Sequence, residues 1–129
     1  MNSVKIFNYV VNRYPKDIKA HAVRVADMCI KYGFDYMTVG LLHDIIKDTD
    51  TTLDELPEDI RIDIATLTRR SDETYFEYIN RIKNYGSNRA IIVKLYDIKD
   101  HLQQKDTLSK SLENRYLKAR DILMENRLI

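Results

Sequence analysis

The chain has no tryptophan, one cysteine, two prolines and three glycines in 129 residues. A lone cysteine excludes an internal disulfide and a soft thiolate metal cage. Cys29 sits among apolar residues, which predicts a buried structural thiol in a reducing compartment. So little Gly and Pro argues against a turn-rich β fold and for long helices. Charge of one sign is also lacking: 21 Lys and Arg face 20 Asp and Glu, a formal net charge of +1. No bulk electrostatic pull toward nucleic acid or an anionic membrane exists at that balance. No apolar run approaches the roughly 20 residues of a membrane span. The opening MNSVKIFNYVVNRY has neither the apolar segment nor the small-residue cleavage site of a signal peptide. These absences predict a cytoplasmic protein that binds neither nucleic acid nor membrane. What is present is an ordinary globular balance, 44% hydrophobic and 32% charged. The length predicts one domain, residues 1–129, with a core that needs no staples.

Apolar residues recur at helical spacing along the chain, and no period-2 alternation persists. Val4, Ile6, Phe7, Val10 and Val11 predict a helix over 3–14, ended by Pro15. Asp17 is the expected cap of a second helix over about 18–32. Its stripe is Ile18, His21, Ala22, Val25, Ala26, Cys29 and Ile30, and Gly33 fits the position just past its end. Asp35 is the expected cap of a third helix, which holds VGLLHDIIKD. Thr51 or Thr52 can cap a short turn, and Pro57 starts a helix to about 68 with Ile60, Ile62, Ile64 and Leu67 apolar. Further helices are expected over 73–84 and 89–103, with a last one to about 125 capped by Ser109 or Ser111. The prediction is an all-α bundle of six to eight helices.

The third helix carries the first chemical signal. On one helix, His43, Asp44, Lys47 and Asp48 spread over about 140° of one side, and Leu41, Leu42, Ile45 and Ile46 take most of the rest. Such a helix suits the lining of a polar cavity. His21 and Asp97 lie in or beside apolar stripes of two other helices, so both can meet the His43-Asp44 pair inside a bundle. Two imidazoles and two carboxylates suit a divalent ion such as Mn²⁺, Fe²⁺ or Zn²⁺. From spacing alone, a hydrogen-bonded core histidine at 21 and a surface carboxylate at 97 account for the same residues.

HAVRVA (21–26), LLHD (41–44) and KLYD (94–97) together resemble the H…HD…D signature of the HD-domain phosphohydrolases. LLHDIIKDTDTTLDEL (41–56) is similar to the RelA/SpoT-homologue branch and its small stand-alone relatives, which hydrolyse alarmones. The similarity continues in LTRRSDETYFEYINRI (67–82) and KLYDIKDHL (94–102), and more loosely in SLENRYLKARDIL (111–123). The resemblance implies a helical fold with His21, His43, Asp44 and Asp97 as metal ligands. The implied ion is Mn²⁺, with Fe²⁺, Zn²⁺ or Mg²⁺ as alternatives. It also implies a small-molecule nucleotide or phosphate ester as substrate, attacked at phosphorus by a metal-bound water. A guanosine 3′-pyrophosphate of the (p)ppGpp type fits that branch best.

The chain departs from the branch at informative places. Where the alarmone hydrolases have an acidic pair, this chain has Lys47 and Asp48. Asp48 is the remaining candidate base. Lys47 resembles the lysine of HD-x-x-K in other HD phosphodiesterases, and an ammonium there favours an anionic substrate. The basic, glycine-containing segment that helps hold guanine in the larger enzymes is replaced by RYPKDIKAH. His101 stands where asparagine is common; it can contact substrate, orient Asp97 or face solvent. Arg24, Arg69 (with Arg70) and Lys94 are further candidates for phosphate contact, and Tyr75, Tyr78 and Tyr96 for stacking on a base. Two alternatives stay open: a phosphatase or phosphodiesterase on another nucleotide, and a degenerate module that binds nucleotide or a partner without turnover.

Overall fold

Sparse Gly and Pro leave long stretches free to coil, and helices account for nearly every ordered segment of the computed structural model. It describes residues 3–125, save the side chains of Ser3, Ile6, Val11 and Lys105, so the expectations for Ile6 and Val11 lie outside the described residues. The helices are α1 (Ser3–Arg13), α2 (Lys16–Cys29), α3 (Phe34–Leu42), α4 (Ile45–Asp48), α5 (Glu58–Thr66), α6 (Tyr75–Tyr85), α7 (Asn88–Gln103) and α8 (Lys110–Met124). Three short 3-10 turns join them, and no strand occurs among the described residues. The fold is an all-α bundle, as the periodicity predicts.

Helix ends follow local chemistry, not always the expected residue. Thr74 caps α6 through a capping box with Glu77, and Ser87 and Ser109 cap α7 and α8 by accepting from Ala90 N–H and Leu112 N–H. Asp17 and Asp35 were expected as caps; both instead lie in the first turn, where a carboxylate still favours the positive helix end. Pro15 and Gly33 occupy the cap positions. The end of α2 tightens into the 3-10 turn Ile30–Tyr32, closed by Gly33 at φ +131°, a conformation costly for any residue with a Cβ. Ile30 and Ile62, expected on apolar stripes, are exposed.

The largest departure falls at the His-Asp pair. One continuous helix was expected there, but α3 stops at Leu42 and α4 restarts at Ile45, with Asp44 at φ −106°, ψ 8°. Asp44 makes no side-chain cap bond to α4, so its carboxylate is free to face inward.

The inner layer is α2, α3 and α7, with α8 and α6 packed over α7, and α5 and α1 against α3. Gly40 explains how close α2 and α3 come: a Cβ there would lie 3.3 Å from Ala26 Cα and 3.5 Å from Cys29 Sγ. Around this contact Val25, Leu42, Ile45, Ile64, Ile79, Ile82, Ile91, Val93, Ile98 and Leu123 form a dry core. Each large side chain so buried contributes about 1.5–3 kcal/mol. Cys29 is fully buried, and burial pushes its thiol up to about 12. Among the described residues no helix is long and apolar enough to cross a membrane.

Candidate metal centre

Two helices and the junction between two others deliver the four predicted ligands. His21 comes from α2, His43 and Asp44 from the α3–α4 break, and Asp97 from α7. One ligand atom from each lies within 4.8 Å of all the others. His21 Nε2 is 2.8 Å from Asp97 Oδ1 and 3.8 Å from Asp44 Oδ2. His43 Nε2 is 3.0 Å from Asp44 Oδ2 and 3.5 Å from Asp97 Oδ1. His21, His43 and Asp97 are buried and Asp44 is half-buried.

His43 and Asp97 are held from behind. His43 Nδ1 donates to the Gly40 carbonyl at 2.6 Å, which leaves the lone pair of the neutral ring on Nε2. That Nε2 is buried without a hydrogen-bond partner. Asp97 Oδ2 accepts from the buried Lys94 ammonium at 2.7 Å, and His101 Nε2 lies 3.2 Å from its Oδ1. His101 stacks between His21, at 4.4 Å between ring centres, and Tyr116, at 4.9 Å.

The electrostatics ask for a cation. Burial works against the charged form of His43, yet Asp44 and Asp97 hold its pKa well above the ordinary imidazole range. His21 is also raised: burial lowers it, and Asp97 with Asp100 reverses this. Burial alone would raise Asp44, but the adjacent His43 holds it down to about 2. Asp97 is well below the usual carboxylate range, because Lys94 and His43 outweigh its burial. Positive charge on the imidazoles would offset the two carboxylates. A divalent cation does the same while using the orphaned His43 Nε2, so the donor set fits one. The group His21, His43, Asp44 and Asp97 can hold a metal ion.

A cleft of about 400 Å³ opens onto this cluster. Asp44, Asp97 and His101 lie on its lining, with Lys47, Arg69, Arg70, Lys94 and Arg115 and the rings of Tyr75, Tyr78 and Tyr116. Five cationic side chains thus face two carboxylates. Lys94 serves Asp97 and sits 4.9 Å from the Tyr78 ring centre. Among the described residues no carboxylate is within ion-pair distance of Lys47, Arg69 or Arg115. Arg115 Cζ lies over the Tyr75 ring, 3.8 Å from its centre.

Of the residues proposed from sequence, the cleft gathers Lys47, Arg69, Lys94 and His101 beside the ligands. Arg24 faces Asp100 instead. Asp48 is half-buried one turn after Asp44 and does not line the cleft; burial, partly offset by Lys47, raises its pKa. Tyr75 and Tyr78 line the cleft, whereas Tyr96 pairs with Tyr32 elsewhere, hydroxyl to hydroxyl at 3.0 Å. Sequence reasoning missed Asp100, Arg115 and Tyr116. The i, i+3 spacing of Asp97 and Asp100 was the available signal for the first, and the adjacent Arg-Tyr of α8 for the others. No protein-family model matches the chain, and no curated protein matches it significantly.

Proposed function

We propose that this chain is a divalent-metal-dependent phosphohydrolase of the HD type, acting on a nucleotide or a nucleotide-like phosphate ester or pyrophosphate. One observation carries the reading: the partnerless His43 Nε2 faces two carboxylates at the floor of a cleft with five cationic side chains. His21, His43, Asp44 and Asp97 would hold the ion. Two nitrogen and two oxygen donors suit Mn²⁺, Fe²⁺ or Zn²⁺ better than the oxygen-preferring Mg²⁺, and the resemblance to the HD phosphohydrolases favours Mn²⁺ among them. When bound, such an ion supplies an acidified water and polarises a phosphoryl oxygen.

The protein's own groups do the rest. Lys47, Arg69 and Arg70 offset phosphate charge in the cleft. Lys94 and His101 hold Asp97 in place. Asp48, the base expected from sequence, lies off the cleft lining and is not assigned the proton. The resemblance of residues 41–56 and 67–82 to the alarmone hydrolases supports 3′-pyrophosphate removal from a (p)ppGpp-type nucleotide. Lys47 favours a second reading, a phosphatase or phosphodiesterase on another nucleotide, because it brings a cation to the cleft where that branch has an acid.

The test begins with chelator-stripped protein titrated calorimetrically with Mn²⁺. One ion per chain is expected, and Asp97→Asn should lose it. The loaded protein should then release pyrophosphate from ppGpp, and Asp44→Ala should abolish release while keeping helicity. Turnover of other nucleotides only would select the second reading. Binding without turnover of any nucleotide would make the chain a binding module, and no metal binding would refute the proposal.

A further inference from the structure

His21 enters the cluster through Nε2, and its other ring nitrogen meets a residue outside the cleft. Asp100, one turn after Asp97 on α7, is 1% exposed. Its Oδ2 accepts from His21 Nδ1 at 2.7 Å. Arg24, one turn after His21 on α2, grips the same carboxylate: Nε donates to Oδ1 at 2.8 Å and Nη2 to Oδ2 at 3.1 Å. Asp100 therefore carries three charge-assisted or ring hydrogen bonds, all from α2. Its carboxylate ties two successive turns of α2 to the turn of α7 that follows a ligand.

We infer that Asp100, clamped by Arg24, is the positioning residue that makes His21 a metal ligand, and that Arg24 acts through it and not on substrate. This rests on the metal-centre reading above. Three physical consequences follow from the contacts. A carboxylate at Nδ1 keeps a proton on that nitrogen, so Nε2, the atom aimed at Asp97 and Asp44, is the one that would give its lone pair to a cation. It also increases the electron density of the ring, which strengthens the nitrogen as a ligand. The Arg24 fork pins Asp100, so it neither rotates away from His21 nor enters the cluster as a fifth ligand. The two backing groups of the two histidines differ in kind. His43 leans on a neutral carbonyl from its own helix, and His21 leans on a charged group from another helix. His21 alone therefore senses the packing of α2 against α7.

The experiment compares wild type, Asp100→Asn and Arg24→Gln, all chelator-stripped. Mn²⁺ affinity is read by calorimetry, and the ring nitrogens of His21 and His43 by ¹⁵N NMR of the Zn²⁺-loaded proteins. Asp100→Asn should weaken Mn²⁺ binding by roughly 10–100-fold. It should also shift the His21 Nδ1 signal while leaving that of His43 in place, a selectivity that a general loss of packing would not give. Arg24→Gln keeps the His21–Asp100 bond and should weaken binding by a smaller factor; it carries the test if Asp100→Asn fails to fold. Wild-type affinity in both variants, or equal shifts at both histidines, overturns the inference. A wild type that binds no Mn²⁺ overturns the metal-centre reading itself, an outcome distinct from variants that bind normally.

Discussion

Replacing Lys94 with methionine isolates the electrostatics of the cluster. Lys94 is 7% exposed and Asp97 3%, and their charges meet at 2.7 Å. Methionine fills the space of the lysine stem but removes the ammonium. Removing one partner of a buried pair costs about 3–5 kcal/mol, because the other charge is left uncompensated. Here His21, His43 and His101 also approach Asp97, so the low end applies, about 3 kcal/mol. For a chain of this size that corresponds to a loss of roughly 10–15 °C in Tm. Circular-dichroism melts in chelator should show that drop. The same melts in saturating Mn²⁺ should show a smaller gap, since a bound dication gives Asp97 the compensation that Lys94 no longer provides. Were Lys94 only a contact for substrate phosphate, the two proteins would melt together in chelator. That result, or a gap that widens with Mn²⁺, refutes the reasoning.

Other outcomes follow from the same geometry. Arg69→Ala should raise KM for an anionic substrate and flatten its salt dependence, with stability changed by less than about 0.5 kcal/mol, because the residue is exposed. Stability in chelator should fall at both ends of the pH range. Asp44, held at about 2 when folded, contributes stability above the ordinary aspartate pKa that is lost as pH drops toward 2. His43, raised when folded, contributes below the ordinary histidine pKa and loses it as pH climbs through its folded value. Urea titrations across pH check both limbs, and Mn²⁺ should rescue the alkaline one. Cys29 should resist thiol reagents until the chain unfolds, since it is fully buried with its pKa near 12; a labelling rate matching that of a free thiol would contradict this.

Periodicity and punctuation determined much of the architecture. The 3-4 spacing of α2, the stop at Pro15, the turn at Gly33 and the serine cap of α8 are local properties, written in neighbouring residues, and they appear in the structure where the sequence places them. The convergence of His21, His43, Asp44 and Asp97 was legible in part for the same reason, since apolar stripes turn inward, but their reading as metal ligands came from the resemblance to the H…HD…D signature. Tertiary structure alone decided what stands behind His21. Arg24 lies one turn from His21 and was a candidate for phosphate, but its fork reaches Asp100, 76 residues later, because α2 crosses α7 there. The break between α3 and α4 was likewise invisible, since Leu42 to Ile45 contains no Gly or Pro and only packing of both apolar segments bends the chain at the pair. Arg115 and Tyr116 entered the cleft because α8 lies over α6 and α7. Local sequence specifies helices and the inward face of each; which polar groups then meet depends on crossing angles and distances set by the whole core.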